Sequence, residues 1–416
     1  MHIPHMKQEN DCATAVNAQI PAIAVPLLSL AAFGSGMSLR VTDPLLPLLS
    51  TEFGISLGDA SLVITACSVA YGLSQLFFGP LGDRHGKYLI VACAAFACAV
   101  TAFLCAMAPG FASLIVARLL AGATAAAIIP LSMAWIGDVI AYEQRQPVLA
   151  RFLIGQILGL SAGVFLGGLA ADAQQWRLPF FLVAAIFAIV GSSLLSLNRR
   201  LPPHAKQVRK VDGSALRHML SEFKQIAALP WARLVLLTVF LEGIFLYGPF
   251  AFIATHLHRI HGLSLSAAGA IIMLFGLGGF VFALASRTLV RRLGETGLSQ
   301  WGGIILALSL VLVGATPVWW WAMPGCFMAG LGFYMLHNTL QINATQMAPQ
   351  RRGAAVSAFA ACFFLGQSVG VGILGRVVEQ IGTMSVMLIG ALGVLAISMR
   401  FSRRLKRGNP GATPSS

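Results

Sequence analysis

The chain has 416 residues, of which 57% are hydrophobic and only 10% are charged, and its mean hydropathy is +0.81. Soluble domains carry about 25% charged residues, so this composition excludes a water-soluble globule. The net charge of +14 comes from basic residues in short stretches between apolar segments. That distribution is typical of membrane proteins and argues against nucleic-acid binding.

Twelve segments are long and apolar enough to cross a bilayer, which takes about 20 helical residues. They lie at roughly 22–48, 58–79, 88–108, 110–137, 148–170, 178–198, 231–255, 265–289, 298–316, 320–345, 354–376 and 380–400. With the N-terminus in the cytoplasm, only Arg177, Arg259 and Arg376 among the basic residues face outward, and only Arg40 and Arg118 lie within segments. The excess of positive charge inside predicts an all-α membrane protein with twelve transmembrane helices and both termini cytoplasmic.

A polar stretch near the middle of the chain separates two sets of six segments. Phe152–Gly159 (FLIGQILG) in the fifth segment resembles Phe363–Gly370 (FFLGQSVG) in the eleventh, 211 residues later. This offset indicates an internal duplication, a common transporter design with the substrate site between the repeats. The predicted units are an N-terminal tail (1–20), a six-helix bundle (21–198), a basic linker (199–229), a second six-helix bundle (230–401) and a C-terminal tail (402–416), with the tails and the linker cytoplasmic.

The connection between the second and third segments reads GPLGDRHGKY from Gly79 to Tyr88. It resembles the signature G-x-L-x-D-R-x-G-[RK] of the major facilitator superfamily, and the resemblance extends over essentially the whole chain. It implies two helical bundles that rock to expose a central site alternately to each side. It also implies a conformational latch that favours the outward-open state, formed by Gly79, Asp83, Arg84, Gly86 and Lys87.

In this latch, the Asp83 carboxylate is expected to face the positive end of a helix. The expected helix is the eleventh, which follows Arg351 and Arg352. The alternative is a solvated turn whose basic residues serve only to orient the chain in the membrane.

Two carboxylates, Asp43 and Glu242, lie within the first and seventh apolar segments. Charges at bilayer depth cost about 2.5–3.5 kcal/mol on insertion scales and often mark proton pathways. Arg40 is three residues before Asp43 and shares its helix face, so Asp43 is either a permanent ion-pair partner or a protonatable group. Glu242 has no basic neighbour in the nearby sequence. Burial then favours its protonated form, and Glu242 is predicted to be the better proton carrier.

Three further motifs resemble those of proton-linked members of the superfamily. Arg118 begins an R-x-x-x-G motif whose arginine is associated with proton coupling; it is expected to be buried with an acceptor, the alternative being that it reaches outward to the interface. Asp43 begins a D-x-x-x-P pattern like that of drug/proton antiporters. The run Gly159–Gly168 resembles an antiporter motif with Val164 in place of proline, although such glycines also serve close helix packing. The predicted proton-coupling residues are Glu242, Asp43, Arg118 and Arg40.

Amide and aromatic side chains within the segments predict a substrate cavity. Gln156 and Gln367 occupy equivalent positions of the repeat and are the best candidates. The predicted cavity residues are Gln75, Gln156, Asn338, Gln341, Gln367, Tyr247 and Phe363. We predict no metal site, and we interpret the histidines at 256, 258 and 261 as loop residues.

These features predict a secondary transporter, and not an enzyme, most similar to exporters that exchange a small molecule or drug for protons. One alternative is a proton-coupled importer, with Arg40 or Arg118 as the counter-ion should its solute be an anion. Another is a membrane receptor or lipid-modifying enzyme on the same scaffold. We expect no cofactor, and we expect protons to be the coupling ion. The expected partners are a small-molecule substrate and the lipid bilayer, with no nucleic acid, for a monomer in a bacterial inner membrane.

Overall fold

The computed structural model describes residues 20–206, 208 and 215–407, and these form helices without any β-strand. The helices are α1 (Ala24–Arg40), α2 (Leu46–Phe53), α3 (Leu57–Ala60), α4 (Leu62–His85), α5 (Lys87–Ala106), α6 (Phe111–Ala125), α7 (Ile128–Val139), α8 (Tyr142–Asp172), α9 (Leu178–Arg200), α10 (Ala215–Ala228), α11 (Pro230–Glu242), α12 (Gly248–Phe250), α13 (Ile253–His261), α14 (Leu265–Ile272), α15 (Leu274–Ala315), α16 (Ala322–Gln346) and α17 (Arg352–Lys406). A π-helical turn, Gly243–Tyr247, joins α11 to α12. Most of the two predicted tails and part of the linker lie outside the described residues.

Eight stretches of the described chain are long and apolar enough to cross a membrane. They are Leu57–His85, Lys87–Ala106, Phe111–Val139, Gln144–Asp172, Leu178–Arg200, Pro230–His261, Leu265–Ala315 and Pro349–Lys406. The predicted first and tenth segments are not among them. The first is interrupted at 41–45, where Pro44 cannot donate a helical hydrogen bond. The tenth, α16, carries His337, Asn338, Gln341 and Asn343, which lower its hydropathy.

The two longest stretches, of 51 and 58 residues, each reverse direction at a glycine with positive φ. These glycines are Gly294 (φ 59°) and Gly382 (φ 82°), and positive φ is readily adopted only by glycine. Around Gly294, α15 meets α16 through Phe275 with Gly330 and Gly279 with Tyr334 before the kink, and through Gly302 with Gly332 and Ser309 with Gly325 after it. Along these contacts, α15 runs parallel to α16 before Gly294 and antiparallel to it after Gly294, so the chain reverses direction at this glycine.

The same reversal occurs in α17 at Gly382. Before the kink, Gly366 meets Phe240 and Gly370 meets Ile244; after it, Gly390 meets Phe245 and Phe401 stacks on Trp231. The first part of α17 is therefore parallel to α11 and the second part antiparallel to it. A straight 58-residue helix would extend for about 87 Å, nearly three times the hydrocarbon thickness of a bilayer.

A row of glycines brings α8 against α1. Gly155, Gly159, Gly163 and Gly167 face the backbone carbonyls of Ser29, Phe33, Met37 and Val41, in that order, and leave no space for a side chain. In the second half, Gly366 and Gly370 of α17 face Phe240 and Ile244 in the same way. On both helices, the residues of this contact lie 211 positions after their counterparts in the first half. The repeat seen in the sequence is thus a repeated helix pair, and these glycines are used for close packing.

Carboxylates connect the two halves at one end of the molecule. Asp172, the last residue of α8, accepts hydrogen bonds from the backbone N–H groups of Leu265 (2.8 Å) and Ser266 (2.9 Å). Glu379 of α17 accepts one from the N–H of Gly58 (2.6 Å). Helix α4 runs from this end toward Asp83, so we call this end the far end and the opposite one the loop end.

Candidate functional site

A cavity of about 290 Å³ lies between the two halves and is lined by residues of both. Its wall runs from the middle of the helices toward the loop end. The polar and aromatic side chains that line it are Arg40, Tyr71, Gln75, Gln156, Tyr247, Phe333, Tyr334, His337, Gln341, Phe359, Phe363, Phe364 and Gln367. The carboxylate contacts of the far end close the other side.

Six of the seven predicted cavity residues line this wall: Gln75, Gln156, Tyr247, Gln341, Phe363 and Gln367. Gln156 and Gln367 approach it from opposite halves, as expected for equivalent positions of a repeat. Asn338 is not a lining residue. It directly follows His337 on α16, and consecutive helical residues point in directions about 100° apart, so His337 takes the place that was expected for Asn338.

Arg40 and Asp43 form a buried ion pair at the break between α1 and α2. Arg40 Nη1 donates to Asp43 Oδ2 at 3.1 Å, and the two side chains are 5% and 2% exposed. The guanidinium carbon of Arg40 also lies 3.9 Å from the ring centroid of Tyr247, within range of a cation–π interaction. Arg40 lines the cavity, whereas Asp43 does not. In this structure, the aspartate therefore lies behind the arginine.

Glu242 pairs with His337, which was not among the predicted site residues. Glu242 Oε2 lies 2.8 Å from His337 Nδ1, and the carboxylate side chain is 0% exposed, while the imidazole is 18% exposed and lines the cavity. The rings of Phe333, Phe359 and Phe363 surround the imidazole with centroids 4.7, 5.2 and 4.8 Å away. Here too, the acid lies behind a nitrogen base that reaches the cavity.

The sequence held one signal for His337. It lies in the middle of a predicted apolar segment, whereas the other histidines lie in tails, loops or segment ends. A lone histidine at such a depth is expensive unless it has a partner. Its partner is 95 residues away, so spacing alone could not identify the pair.

Arg118 is buried and does not line the cavity. It is 1% exposed, and it donates to two backbone carbonyl oxygens, Ser38 O at 3.0 Å and Val63 O at 3.4 Å. Its side chain therefore remains inside the first half and does not reach outward to the interface. These contacts connect α6 to α4 and to α1, the helix that ends at Arg40.

At the loop end, the predicted latch residues Gly79, Asp83 and Arg84 lie in the last turns of α4, Gly86 lies between the helices, and Lys87 begins α5. Gly86 has φ 92°, so a glycine is required at this turn. The Asp83 carboxylate forms an ion pair with Lys87 at 3.4 Å, and Lys87 also donates to Asp138. Arg351, at the expected partner helix, lies 3.9 Å from Glu222 of α10. In this structure, the described ion pair of Asp83 is therefore with a residue of its own half. The contacts that hold the two halves together through carboxylates lie at the far end.

The helical fold, its repeated helix pairs and a polar cavity between the halves define a membrane transporter. A family model, the Major Facilitator Superfamily, matches residues 28–371. The chain belongs to this superfamily and is a multi-pass secondary transporter of small molecules rather than an enzyme, which confirms the predicted family.

Relatives and solved structures agree with this membership. The chain is 27% identical over 361 residues to an uncharacterized MFS-type transporter, YceJ, of Bacillus subtilis (82% of this chain, 86% of the relative). It is 29% identical over 155 residues to the multidrug export protein EmrB of Haemophilus influenzae (37% of this chain, 30% of the relative). The nucleoside transporter NupG has the same fold, with a TM-score of 0.73 at 16% identity (92% of this chain, 98% of that one). So does the human organic anion transporter MFSD10, with a TM-score of 0.66 at 18% identity (90% and 98%).

Proposed function

We propose that this chain couples small-molecule transport to protons through the pair formed by Glu242 and His337. The observation that supports the proposal is the 2.8 Å contact between a fully buried carboxylate and an imidazole on the cavity wall. Both groups titrate, so the pair can hold different numbers of protons. Net charge is costly in a low-dielectric site, so a change in the proton number of this pair alters the energy of closing the site around it.

The proton route follows from the different exposure of the two groups. His337 reaches the cavity and Glu242 does not, so a proton moving between cavity water and Glu242 passes through the imidazole. Histidine is suited to this transfer because its two nitrogens allow it to accept and release protons near neutral pH. When the halves rock, the same pair becomes accessible from the far end and exchanges its proton there. Arg40 and Arg118 then supply permanent positive charge in the first half.

We further propose twelve membrane spans with both termini in the cytoplasm. Chain reversals at Gly294 and Gly382 divide two of the eight apolar stretches, and α1–α2 and α16 supply the remaining passes. The two six-helix bundles are 21–198 and 230–401, joined by the linker 199–229, in a monomer of a bacterial inner membrane. Single cysteines at Val208 and Ile260, both exposed, test this topology. They should label from the cytoplasmic and outer sides, and labelling of both from one side would contradict it.

Two directions of transport have specific support. Export in exchange for protons is supported by the antiporter-like run Gly159–Gly168 and by the similarity to EmrB. Those glycines, however, pack α8 on α1, so they serve structure whichever way the substrate moves. Proton-coupled import of an anion is the second candidate. Arg40 is the described permanent charge on the cavity wall and can serve as the counter-ion of such a solute, and His337 lies on the same wall.

A flux assay in proteoliposomes with an imposed pH gradient tests the coupling. A broad substrate panel is offered on either side of the membrane, with and without the gradient. We expect at least one compound to accumulate against its concentration gradient only when the pH gradient is present, and to stop when an ionophore collapses that gradient. Transport that is indifferent to the pH gradient would contradict proton coupling.

A further inference from the structure

Among the described residues that line the cavity, none is an aspartate or a glutamate. The two embedded acids lie one layer back, Asp43 behind Arg40 and Glu242 behind His337. A ligand in the cavity therefore meets a permanent cation and a titratable base before it meets any carboxylate. Of the five N–H groups of the Arg40 guanidinium, the described hydrogen bond to Asp43 uses one, which leaves donors for a ligand.

The remainder of the wall is aromatic and amide-bearing. Rings from both halves line it, among them Tyr71, Tyr247, Phe333, Phe363 and Phe364. Four glutamines supply donors and acceptors at fixed positions. A volume of about 290 Å³ is at the lower end for small-molecule sites, which favours a compact ligand with one or two rings.

We propose that the substrate is an aromatic organic anion of one or two rings, and that it binds together with a proton. The first part rests on the wall chemistry, and the second rests on the proposed function of the Glu242–His337 pair. Negative charge added to the cavity favours added positive charge on that pair, and the effect is reciprocal, so bound protons strengthen anion binding by the same factor. Joint binding leads to symport of anion and proton.

The charged and titratable groups near His337 come from several elements. Glu242 approaches from α11, Tyr247 from the π turn, Tyr334 from α16 itself and Arg40 from α1, while α17 contributes the rings of Phe359 and Phe363. Among these described groups, the His337 imidazole and the Glu242 carboxylate form an acid–base pair, with Nδ1 and Oε2 2.8 Å apart. Arg40 stays charged throughout, so the pH dependence of binding is expected to follow the pair.

The test uses purified full-length protein and equilibrium binding without any gradient. A panel of one- and two-ring aromatic scaffolds is prepared, each as the carboxylate, the carboxamide and the methylammonium compound. We expect the carboxylate of at least one scaffold to bind about tenfold or more tightly than its two matched analogues, to bind more tightly at pH 6 than at pH 8, and to take up protons from a weak buffer. His337→Gln should remove the pH dependence. His256→Gln is the matched control. The histidines at 256, 258 and 261 were expected in a loop but lie in α13, and His256 is buried there with a hydrogen bond to Thr383, outside the cavity.

Preferential binding of the methylammonium compounds, or binding by no carboxylate of the panel, would overturn the proposed class. Flux measurements in proteoliposomes then distinguish a failure of this substrate proposal from a failure of the proposed proton coupling. If a cation is carried only with a pH gradient, proton coupling is supported and the proposed anionic substrate class is wrong. If a carboxylate compound binds and is transported equally with and without the pH gradient, the anionic substrate class is supported and proton coupling is wrong.

A second inference concerns the far end, where two helix N-termini have similar sequences and the same cap geometry. Gly54-Ile-Ser56-Leu and Gly262-Leu-Ser264-Leu lie 208 residues apart. Both glycines have left-handed φ, 61° and 66°. Both serines accept a hydrogen bond at the N-cap, Ser56 from Asp59 N and Ser264 from Ala267 N. The repeat therefore reproduces a complete helix start in each half.

Each of these helix starts receives a carboxylate from the other half. Asp172 of the first half binds the N–H groups of Leu265 and Ser266, and Glu379 of the second half binds that of Gly58. A carboxylate at a helix N-terminus is stabilised both by hydrogen bonds and by the helix dipole. We infer that Asp172 and Glu379 form a far-end latch that holds this end closed, and that it must break for the far end to open.

Distances between pairs of spin labels, measured by electron paramagnetic resonance, test this latch. Spin labels at Gln175 and Ile260, exposed far-end positions on opposite halves, report its opening. Asp172→Asn and Glu379→Gln should each raise the open fraction about two- to fivefold, the range expected for one such contact, and the double variant should raise it further. Glu52→Gln is the matched control, since the described contacts of its side chain, with Trp176 and Arg177, lie within the first half.

A second label pair, at His85 and Gly353 on the loop end, distinguishes opening from unfolding. Opening of the far end should shorten the loop-end distance, whereas unfolding would lengthen both. Unchanged far-end distances in the double variant, or lengthening at both ends, would overturn the latch.

Discussion

The acids of the two buried pairs lie in equivalent segments of the two halves but not at equivalent positions. With the 211-residue offset of the repeat, Glu242 corresponds to Ala31 and Asp43 to Ala254. Asp43 thus lies twelve residues further along its helix, a difference of about 18 Å at 1.5 Å per residue. The scaffold is duplicated, whereas the charges placed in it are not. Each half has acquired its own chemistry on a shared framework of helix contacts.

The chemistry of the two bases differs in a way that bears on function. Arg40 is a permanent cation, three residues from Asp43, so protonation of Asp43 would leave an unpaired charge in the membrane. His337 can lose its proton, so the Glu242 pair can change its charge without leaving either partner stranded. Each acid also lies at an irregularity, Asp43 in the break at 41–45 and Glu242 just before the π turn Gly243–Tyr247. Such π turns are frequent at functional sites.

The largest expected effect on stability comes from Asp43→Asn. The change leaves the buried Arg40 without its counter-ion, and removal of one member of a buried pair costs about 3–5 kcal/mol. We expect a lower melting temperature in detergent and weakened ligand binding. Arg40→Met combined with Asp43→Asn should recover most of the lost stability, because no charge is then stranded. A single variant as stable as the wild type would show that Arg40 does not need the pair.

His337→Gln should affect transport more than stability. Glutamine can still hydrogen-bond to Glu242 but cannot carry a proton to it. We expect proton-driven flux to fall about 100-fold, the lower end of what a positioned proton-transfer group contributes, with melting temperature close to that of the wild type. His256→Gln, outside the cavity, should leave flux unchanged. Full proton-driven flux in His337→Gln would assign proton access to another route.

The smallest expected effect is that of Asp83→Asn at the loop end. In this structure, Asp83 pairs with Lys87, and we expect it to face the N-terminus of α17 only when the loop end closes. Loss of such a contact is typically worth about 0.3–1 kcal/mol. Turnover should therefore fall about two- to fivefold, while folding and substrate binding are retained. Unchanged turnover of the purified variant would show the loop to be only a solvated turn.

What could be predicted from the sequence is what local spacing controls. The apolar segments, the repeat, the turn at Gly86 and the Arg40–Asp43 contact all depend on residues within a few turns of one another or on self-similarity. The four glutamines of the cavity wall were also found from their unusual depth in apolar segments. These features need no knowledge of how distant helices meet.

The contacts that were not predicted depend on helix rotation and tertiary packing. Glu242 meets His337 across 95 residues, and Arg118 finds its acceptors on two other helices. Neither partner follows from spacing. The rotation of α16 decides that His337 rather than Asn338 faces the cavity. The helix start bound by Asp172 lies in the other half of the chain, and no local pattern indicates it.

The most direct test of the account is to separate driven accumulation from exchange in Glu242→Gln. Glutamine resembles the protonated acid in shape and charge, so the variant should still bind substrate and exchange it across proteoliposome membranes. We predict that accumulation driven by a pH gradient is abolished and that substrate binding loses its pH dependence, whereas the same variant keeps counterflow close to that of the wild type. If Glu242→Gln still concentrates substrate with the proton gradient, Glu242 is not the proton carrier, and the role passes to Asp43.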